Sequence, residues 1–428
     1  MTAAVTQAAP SWYAASANAL PAQPSLRASE RADVVVLGAG ITGLSTAIEL
    51  AERGYSVIVL EAETIGWGAS GRSGGQMIFG YGCEQHTLRN LVGADDARKL
   101  FDWSREGLRL IGERVAKYRI DCDLQAGHAH AAIKPRQVEE LKLWQADLQD
   151  HYAYPDLQFW DRQRLRQTLA TERYQALLFD PAGGHLHPLN YTLGLARAAL
   201  SLGVKIYQHS KVLAVQEGAR VVFRTAQGDA SGSFAVLAGN AWLGGLVPSL
   251  EAKIMPVGTY ICATECLGAE RARALIQNRM AVADINFVLD YFRLSGAHRM
   301  LFGGRVSYSR LPPPNLRHSM RQRLLKVFPQ LADVAIDYVW GGYVDISMNR
   351  APHWGRQGAN LYFAQGFSGH GIAATGLAGR VIAEAIHGQS ARLDIYQRIR
   401  HRDFPGGKWL RTPALVLAML WYRLRDWR

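Results

Sequence analysis

Cysteine is scarce: the chain has four in 428 residues, Cys83, Cys122, Cys262 and Cys266, and no two form a C-x-x-C pair. Neither a disulfide framework nor a zinc site is expected, and no metal. Each cysteine reads as a small buried hydrophobe. Long apolar runs are also missing, since none reaches the roughly 18 residues of a membrane span. The opening "MTAAVTQAAPSWYAASANALPAQPSL" lacks a basic start leading into an apolar core, so no signal peptide is expected. A cytoplasmic enzyme is the simplest expectation. Basic blocks interleaved with aromatics are absent too. The formal net charge of +12 is therefore read as a basic surface, or as attraction for an anionic substrate, with no nucleic acid partner expected.

Glycine, by contrast, is clustered. Residues 32–62 read "ADVVVLGAGITGLSTAIELAERGYSVIVLEA". "DVVVLG" predicts a buried parallel strand ending in glycine. "ITGLSTAIELAERG" predicts a helix capped by Gly54, and "SVIVLE" a second buried strand. Strand, glycine turn, helix and strand within about thirty residues make a βαβ unit. Gly38, Gly40 and Gly43 stand in the G-x-G-x-x-G spacing, with Thr42 inside it. Gly38 permits the tight turn, Gly40 lets backbone approach a pyrophosphate, and Gly43 lets helix pack on strand. Glu61, followed by Ala62, ends the second strand where it can accept from a ribose 2′-hydroxyl, which disfavours a 2′-phosphate ligand. The dinucleotide is then NAD or FAD.

A second cluster, "GWGASGRSGGQ", begins only a few residues after Glu61. That is too soon for another unit of a nicotinamide domain. It predicts a second wall for the same ligand. Backbone amides of Ala69 and Ser70 would meet pyrophosphate, Arg72 would offset its charge, and Gly75 and Gln76 would lie against an isoalloxazine ring. The ligand inferred is FAD. Further on, Val212 sits where a strand edge would meet adenine. A strand ending in "AGNAW" brings Gly239 back to the ligand. "NLYFAQGFSGHGIAATGLAGRVIAEAI" predicts a strand, a glycine loop and a small-residue helix. Gly366, Gly369, Gly371 and Gly376 again allow close approach. The positive end of the helix, at Gly371 and Ile372, would face negative charge on a reduced flavin.

Residues 256–340 change character, with strand-like runs such as "PVGTYICATE" and "HRMLFGGRVS". The expected fold is α/β: a Rossmann-like FAD-binding domain with an inserted antiparallel-sheet substrate domain. The FAD-binding domain is expected from 32–84, 186–255 and 336–390, and the substrate domain from 119–185 and 256–335. A 1–31 extension precedes them and a 391–428 tail follows.

The segments 32–62, "GASGRSGGQ" and "GFSGHGIAATGLAGRVIAE" resemble the D-amino-acid-oxidase-like family of FAD-dependent oxidoreductases, along nearly the whole chain. The resemblance implies flavin contacts at Gly38, Gly40, Gly43, Glu61, Ser70, Arg72, Gly75, Val212, Gly369, His370 and Gly371. It implies amine oxidation by hydride transfer to flavin N5, imine hydrolysis to an aldehyde with loss of ammonia, and reoxidation by O2 to peroxide. Within the family the branch acting on gamma-glutamylated polyamines is the most similar. Some members link flavin to a late cysteine. No cysteine follows Cys266 here, so FAD is expected to be noncovalent. Members acting on alpha-amino acids hold the carboxylate with an arginine of the inserted domain, for which Arg293, Arg305 and Arg310 are candidates. Tyr81, His86 and His370 flank the glycine loops, and His370 is the expected catalytic group, with Gln76 as its neighbour. The alternative reading is an oxidase or dehydrogenase of sarcosine, glycine or a D-amino acid, passing electrons to a membrane quinone. The tail "RTPALVLAMLWYRLRDWR" would then touch the bilayer.

Overall fold

A computed structural model describes residues 10–286, 288–307 and 313–405, without the side chain of residue 305. Two sheets organise the chain. In the first, the strands run in the order His353–Gln357, Leu361–Gln365, Asp229–Leu237, Glu30–Leu37, Val57–Leu60, Lys205–Tyr207. Along this order the inner pairs are parallel, as the continuous apolar runs predict, and the edge pair 353–357 with 361–365 is antiparallel; the hairpin of Ala214–Gln216 and Val221–Arg224 joins Asp229–Leu237 antiparallel. Val34, Val35 and Val36 are fully buried, because helices cover one face and a hairpin layer the other.

The helices Ile41–Ala51 and Gly371–Ile386 lie side by side on this sheet. Gly379 lets them meet, since a Cβ there would stand 2.6 Å from Ser45 Cβ. The long helix Ala94–Tyr118 packs on the same pair at Gly107, where a Cβ would be 3.0 Å from the Ala373 carbonyl. Gly376, expected to admit the ligand, instead makes room for Arg114, whose Nη1 would be 3.2 Å from its Cβ. Arg114 in turn pairs with buried Glu49 at 3.0 Å, tying the helices together.

The second sheet runs Ile336–Ser347, Ile254–Thr264, Met300–Ser307, Tyr291–Leu294, Ala281–Asp284, Gln125–Ala132, Ala176–His185, Gln76–Met77. It is antiparallel except where 281–284 runs parallel to 125–132. Its composition departs from the expected boundaries at two places. Residues 336–347 pair along their whole length with 254–264 rather than joining the first sheet. That pairing buries Trp340 against Tyr13, with ring centroids 5.1 Å apart. Gln76 and Met77, placed in the first domain, open the second sheet by pairing with His185 and Gly184. The supposed tail also begins later than expected, because helix Ala391–Gln397 stacks Tyr396 on Trp354 of the first sheet at 4.2 Å. The rest of it, 406–428, lies outside the described residues. Among the described residues no helix is long and apolar enough to cross a membrane.

One face of the second sheet is an apolar core holding Ala129, Ala131, Val282, Phe292, Leu294 and Phe302. Side chains alternate along a strand. His128, His130, Tyr291 and Arg293 therefore project from the opposite face, toward the first domain.

Candidate active site

Four parallel strands of the first sheet end at Leu37, Leu60, Leu237 and Gln365. Gly38, Glu61, Gly239 and Gly366 follow these ends, so the segments singled out in the sequence converge on one edge. Open α/β sheets bind ligands there. Gly38 has a φ of +101°. Gly43 packs so tightly on the Gly38 carbonyl that no side chain fits. Helix Ile41–Ala51 starts at Gly40, which has no side chain to cap it. Ser70, from the second glycine cluster, takes that role: its Oγ accepts from the Ile41 N–H at 3.0 Å. A Cβ on Gly40 would stand 2.8 Å from that hydroxyl. The two glycine clusters are thus one structure.

Glu61 holds the turn as well as facing the edge. Its Oε2 accepts from the Ala39 N–H at 2.8 Å and its Oε1 from the Glu63 N–H at 3.0 Å. Burial raises its carboxyl pKa, against the pull of these N–H groups. Thr42 is buried in the first helical turn, Ala62 is exposed beyond the strand, and Ala69 opens the short turn Ala69–Gly71. Val212 is in a loop rather than on a strand edge, packed in the cluster of Leu60 and Leu237.

Arg72 is half-buried and makes no ion pair among the described residues. Its Nε donates to the Trp67 carbonyl at 2.8 Å and its Nη1 to the Gly341 carbonyl at 3.3 Å. An uncompensated guanidinium two residues along the chain from Ser70, which caps the helix N-terminus, suits a diphosphate. The donor set therefore fits FAD. The turn at Gly38 to Gly43, Glu61, Ser70, Arg72 and the loop before Gly371 are the residues that would hold it.

Arg293, a candidate for a substrate carboxylate, is occupied otherwise. It is 2% exposed. Its Nε donates to Gly74, and Nη2 to Leu186 and to the Tyr13 hydroxyl, at 2.7, 2.8 and 3.1 Å. Its Nη1 faces the Leu294 carbonyl and His185 Nδ1 at 3.4 and 3.5 Å. It clamps the second glycine cluster onto the second sheet. The Arg305 side chain and Arg310 lie outside the described residues.

The third glycine loop is pinned by Asp345, which sequence reasoning missed. This carboxylate, 1% exposed, accepts from the Gly366 N–H and, at 3.2 Å, from the Phe367 N–H. Its backbone carbonyl accepts from the Ser368 N–H at 3.0 Å. Burial pushes its pKa up to about 7 although these donors oppose the rise. His370 ends the loop and precedes helix Gly371–Ile386. Gly369 (φ +90°) and Gly371 leave open space on the loop's outer side, and Ile372 is buried in the first turn. Burial, helped by the charge of Arg350, lowers the pKa of His370 to about 4, so its ring is neutral at ordinary pH.

Gln76, His128 and His130 face the same region from the second sheet. Gln76 Nε2 donates to the Val282 carbonyl at 3.2 Å, and its Oε1 stands 3.4 Å from His128 Nε2. The rings of His128 and His130 are 4.8 Å apart. Burial and the neighbouring His370 take His130 to about 3. Only the i, i+2 spacing in "GHAHAA" pointed to this pair. Tyr81 and His86 stand elsewhere. The Tyr81 hydroxyl is buried against the Leu100 carbonyl and Tyr396, and exposed His86 pairs with Glu84.

A family described as FAD dependent oxidoreductase matches residues 33–385. The chain is 41% identical over 423 residues to the gamma-glutamylputrescine oxidoreductase of Escherichia coli strain K12, covering 99% of each. It is 42% identical over 410 residues to a probable oxidoreductase, OrdL, of Haemophilus influenzae, covering 94% of each. In fold it is similar to glycine oxidase from Geobacillus kaustophilus, with TM-score 0.74 and 20% identity across 87% of this chain and all (100%) of that one.

Proposed function

The chain belongs to the family of FAD-dependent oxidoreductases, and on that premise we propose that it oxidises the terminal primary amine of a gamma-glutamylated polyamine. Gamma-glutamylputrescine would yield an aldehyde, ammonia and, with O2, hydrogen peroxide. The observation that carries this reading is the end-to-end likeness to a gamma-glutamylputrescine oxidoreductase, 41% over 99% of both chains. Among the described residues the geometry favours it over an alpha-amino acid. Such a substrate needs a cation beside the reacting carbon, yet the donors of Arg293 are all engaged within the protein. Gln76, His128, His130 and His370 themselves form a wall of uncharged polar groups, with the charge of Arg350 felt at His370. An amine with no adjacent carboxylate suits it.

Bound FAD supplies the hydride acceptor and, once reduced, the reductant for O2. The protein has to hold the reacting carbon in place, exclude water and keep the amine unprotonated. Helix Gly371–Ile386 presents its positive end where negative charge would develop. Asp345 fixes the loop that aims this helix. We assign His370, at the head of this helix, the role of meeting the amine.

The test is anaerobic bleaching of the flavin. Gamma-glutamylputrescine should reduce it at least about tenfold more efficiently than putrescine, sarcosine or D-alanine, because a charged contact to the glutamyl head is worth roughly 1.5–3 kcal/mol. Faster reduction by sarcosine or D-alanine would leave only family membership standing.

A further inference from the structure

The second glycine cluster is held to the second sheet at two carbonyls. Arg293 Nε donates to the Gly74 carbonyl at 2.7 Å. Trp340 Nε1 donates to the Arg72 carbonyl at 3.0 Å. Both donor residues are buried, and both meet one further buried side chain, that of Tyr13. The Tyr13 ring packs edge-on against the Trp340 ring, with centroids 5.1 Å apart. Its hydroxyl accepts from Arg293 Nη2 at 3.1 Å. Burial raises the pKa of that hydroxyl, against the pull of Arg293, so the guanidinium meets a neutral phenol.

Tyr13 comes from the segment before the first strand, outside the residues 33–385 that match the family. Local hydrogen bonds hold the segment in place. Ser11 Oγ accepts from the Ala14 N–H at 3.1 Å and starts the short helix Trp12–Ala15. Asn18 ties down the other end, with its N–H donating to Asn190 Oδ1 at 2.8 Å and its Nδ2 to the Asp121 carbonyl at 2.7 Å. His187 covers another side of the Tyr13 ring at 4.9 Å, and its Nε2 meets Ser16 Oγ at 3.0 Å.

We propose that Tyr13 is a positioning residue for the flavin: by holding Arg293 and Trp340 it sets where Arg72 and Gly74 stand in the cofactor wall. This rests on the assignment of the second glycine cluster to FAD and not on the identity of the amine. Between the two anchored carbonyls stands Ser73, whose buried Oγ has no partner among the described residues. Buried polar atoms are seldom left so. That hydroxyl and the unpaired Arg72 guanidinium are groups whose use depends on where the loop sits. On the first-domain side the cluster is fixed independently. Ser70 accepts from Ile41, and a Cβ on Gly66 or Gly71 would stand 3.0 Å from Leu189 Cδ1. Loss of Tyr13 therefore loosens the far side of the wall and leaves the dinucleotide turn in place.

Trp12, on the same short helix, supplies the control. Its ring faces Arg299 at 4.5 Å and Tyr338 at 5.8 Å. Among the described residues it makes neither a hydrogen bond nor a ring contact with Arg293 or Trp340. Tyr13→Phe removes the acceptor for Arg293 and keeps the ring against Trp340. Tyr13→Leu removes both, and Trp12→Leu removes the neighbouring ring. The measurements are the rate at which FAD leaves the holoenzyme on dilution, followed by free flavin fluorescence, and the visible circular dichroism of the bound flavin. Tyr13→Phe should speed release by about threefold to tenfold, part of what a hydrogen bond to a charged group contributes. Tyr13→Leu should speed it further, and both should alter the flavin dichroism. Trp12→Leu should match wild type in both readouts. The proposal is overturned if Tyr13→Phe keeps the wild-type release rate and flavin spectrum, or if Trp12→Leu changes them as much as Tyr13→Phe does. Arg72→Ala tests the underlying assignment. A wild-type release rate there removes the cluster from the cofactor site and the proposal with it. Faster release from Arg72→Ala beside a wild-type rate in Tyr13→Phe overturns the proposal alone.

Discussion

Replacing Asp284 by asparagine should stabilise the protein, increasingly so as pH rises. Asp284 ends the strand Ala281–Asp284 on the core side of the second sheet and is 2% exposed. Its Oδ1 accepts from the Asn286 N–H at 3.0 Å, whereas its Oδ2 has no partner. The nearby Asp290 is paired with Arg323 at 2.7 Å, so that cation is already engaged. Burial first, and the charge of Asp290 second, push the Asp284 carboxyl up to about 7. Its folded pKa thus lies above its unfolded one. In the window between them the native state holds a proton that the unfolded chain releases, and stability falls as pH rises. The slope is about 1.4 kcal/mol per pH unit, and the window of about three units sets a ceiling of about 4 kcal/mol, which relaxation around the site would reduce to about 1–2 kcal/mol. Asparagine keeps the acceptor for Asn286 and cannot ionise. Chemical unfolding of both proteins, saturated with FAD, at about pH 5 and about pH 8 measures the effect. Asp345 gives the parent a similar slope, but it is common to both proteins and cancels. An advantage for asparagine that is flat or shrinks between the two pH values would refute the argument.

Two predictions concern the cofactor. FAD should leave the protein on acid or heat treatment, because no cysteine follows Cys266; flavin that stays with the precipitated chain would contradict this. Gly40→Val should abolish FAD binding, because its Cβ would stand 2.8 Å from the Ser70 hydroxyl that caps the adjoining helix. Full flavin occupancy in a folded Gly40→Val protein would place the ligand elsewhere.

What the sequence disclosed is what short-range pattern encodes. The turn at Gly38, its helix and its two strands lie within about thirty residues, and each has its own periodicity signal. The second glycine cluster was read as a cofactor wall, and its part as the cap of the first helix was not legible. That link is a single hydroxyl, Ser70, reaching Ile41 across 29 residues. Arg293 illustrates the opposite error. An arginine in the inserted domain invited a role with substrate, and only the fold shows Gly74, Leu186 and Tyr13 gathered around it. Residues 336–347 were misplaced for a related reason. A strand's own pattern says which residues share a face, but not which partner it pairs with, and here 254–264 offered the longer match.

His128 and His130 show how a signal can be present and still unreadable. Two histidines two apart on a strand share one face, so the spacing was visible. Whether that face met solvent, core or ligand depended on Ala129 and Ala131. These small apolar residues gave no sign that they were the buried side of a second core. Once that core fixes the sheet's orientation, both rings must point toward the first domain, on the side from which His370 acts on them electrostatically. The glycine turns thus reside in local motifs. The wall of Gln76, His128 and His130 arises where the second sheet turns its polar face to the first domain, and short-range pattern carries no record of that.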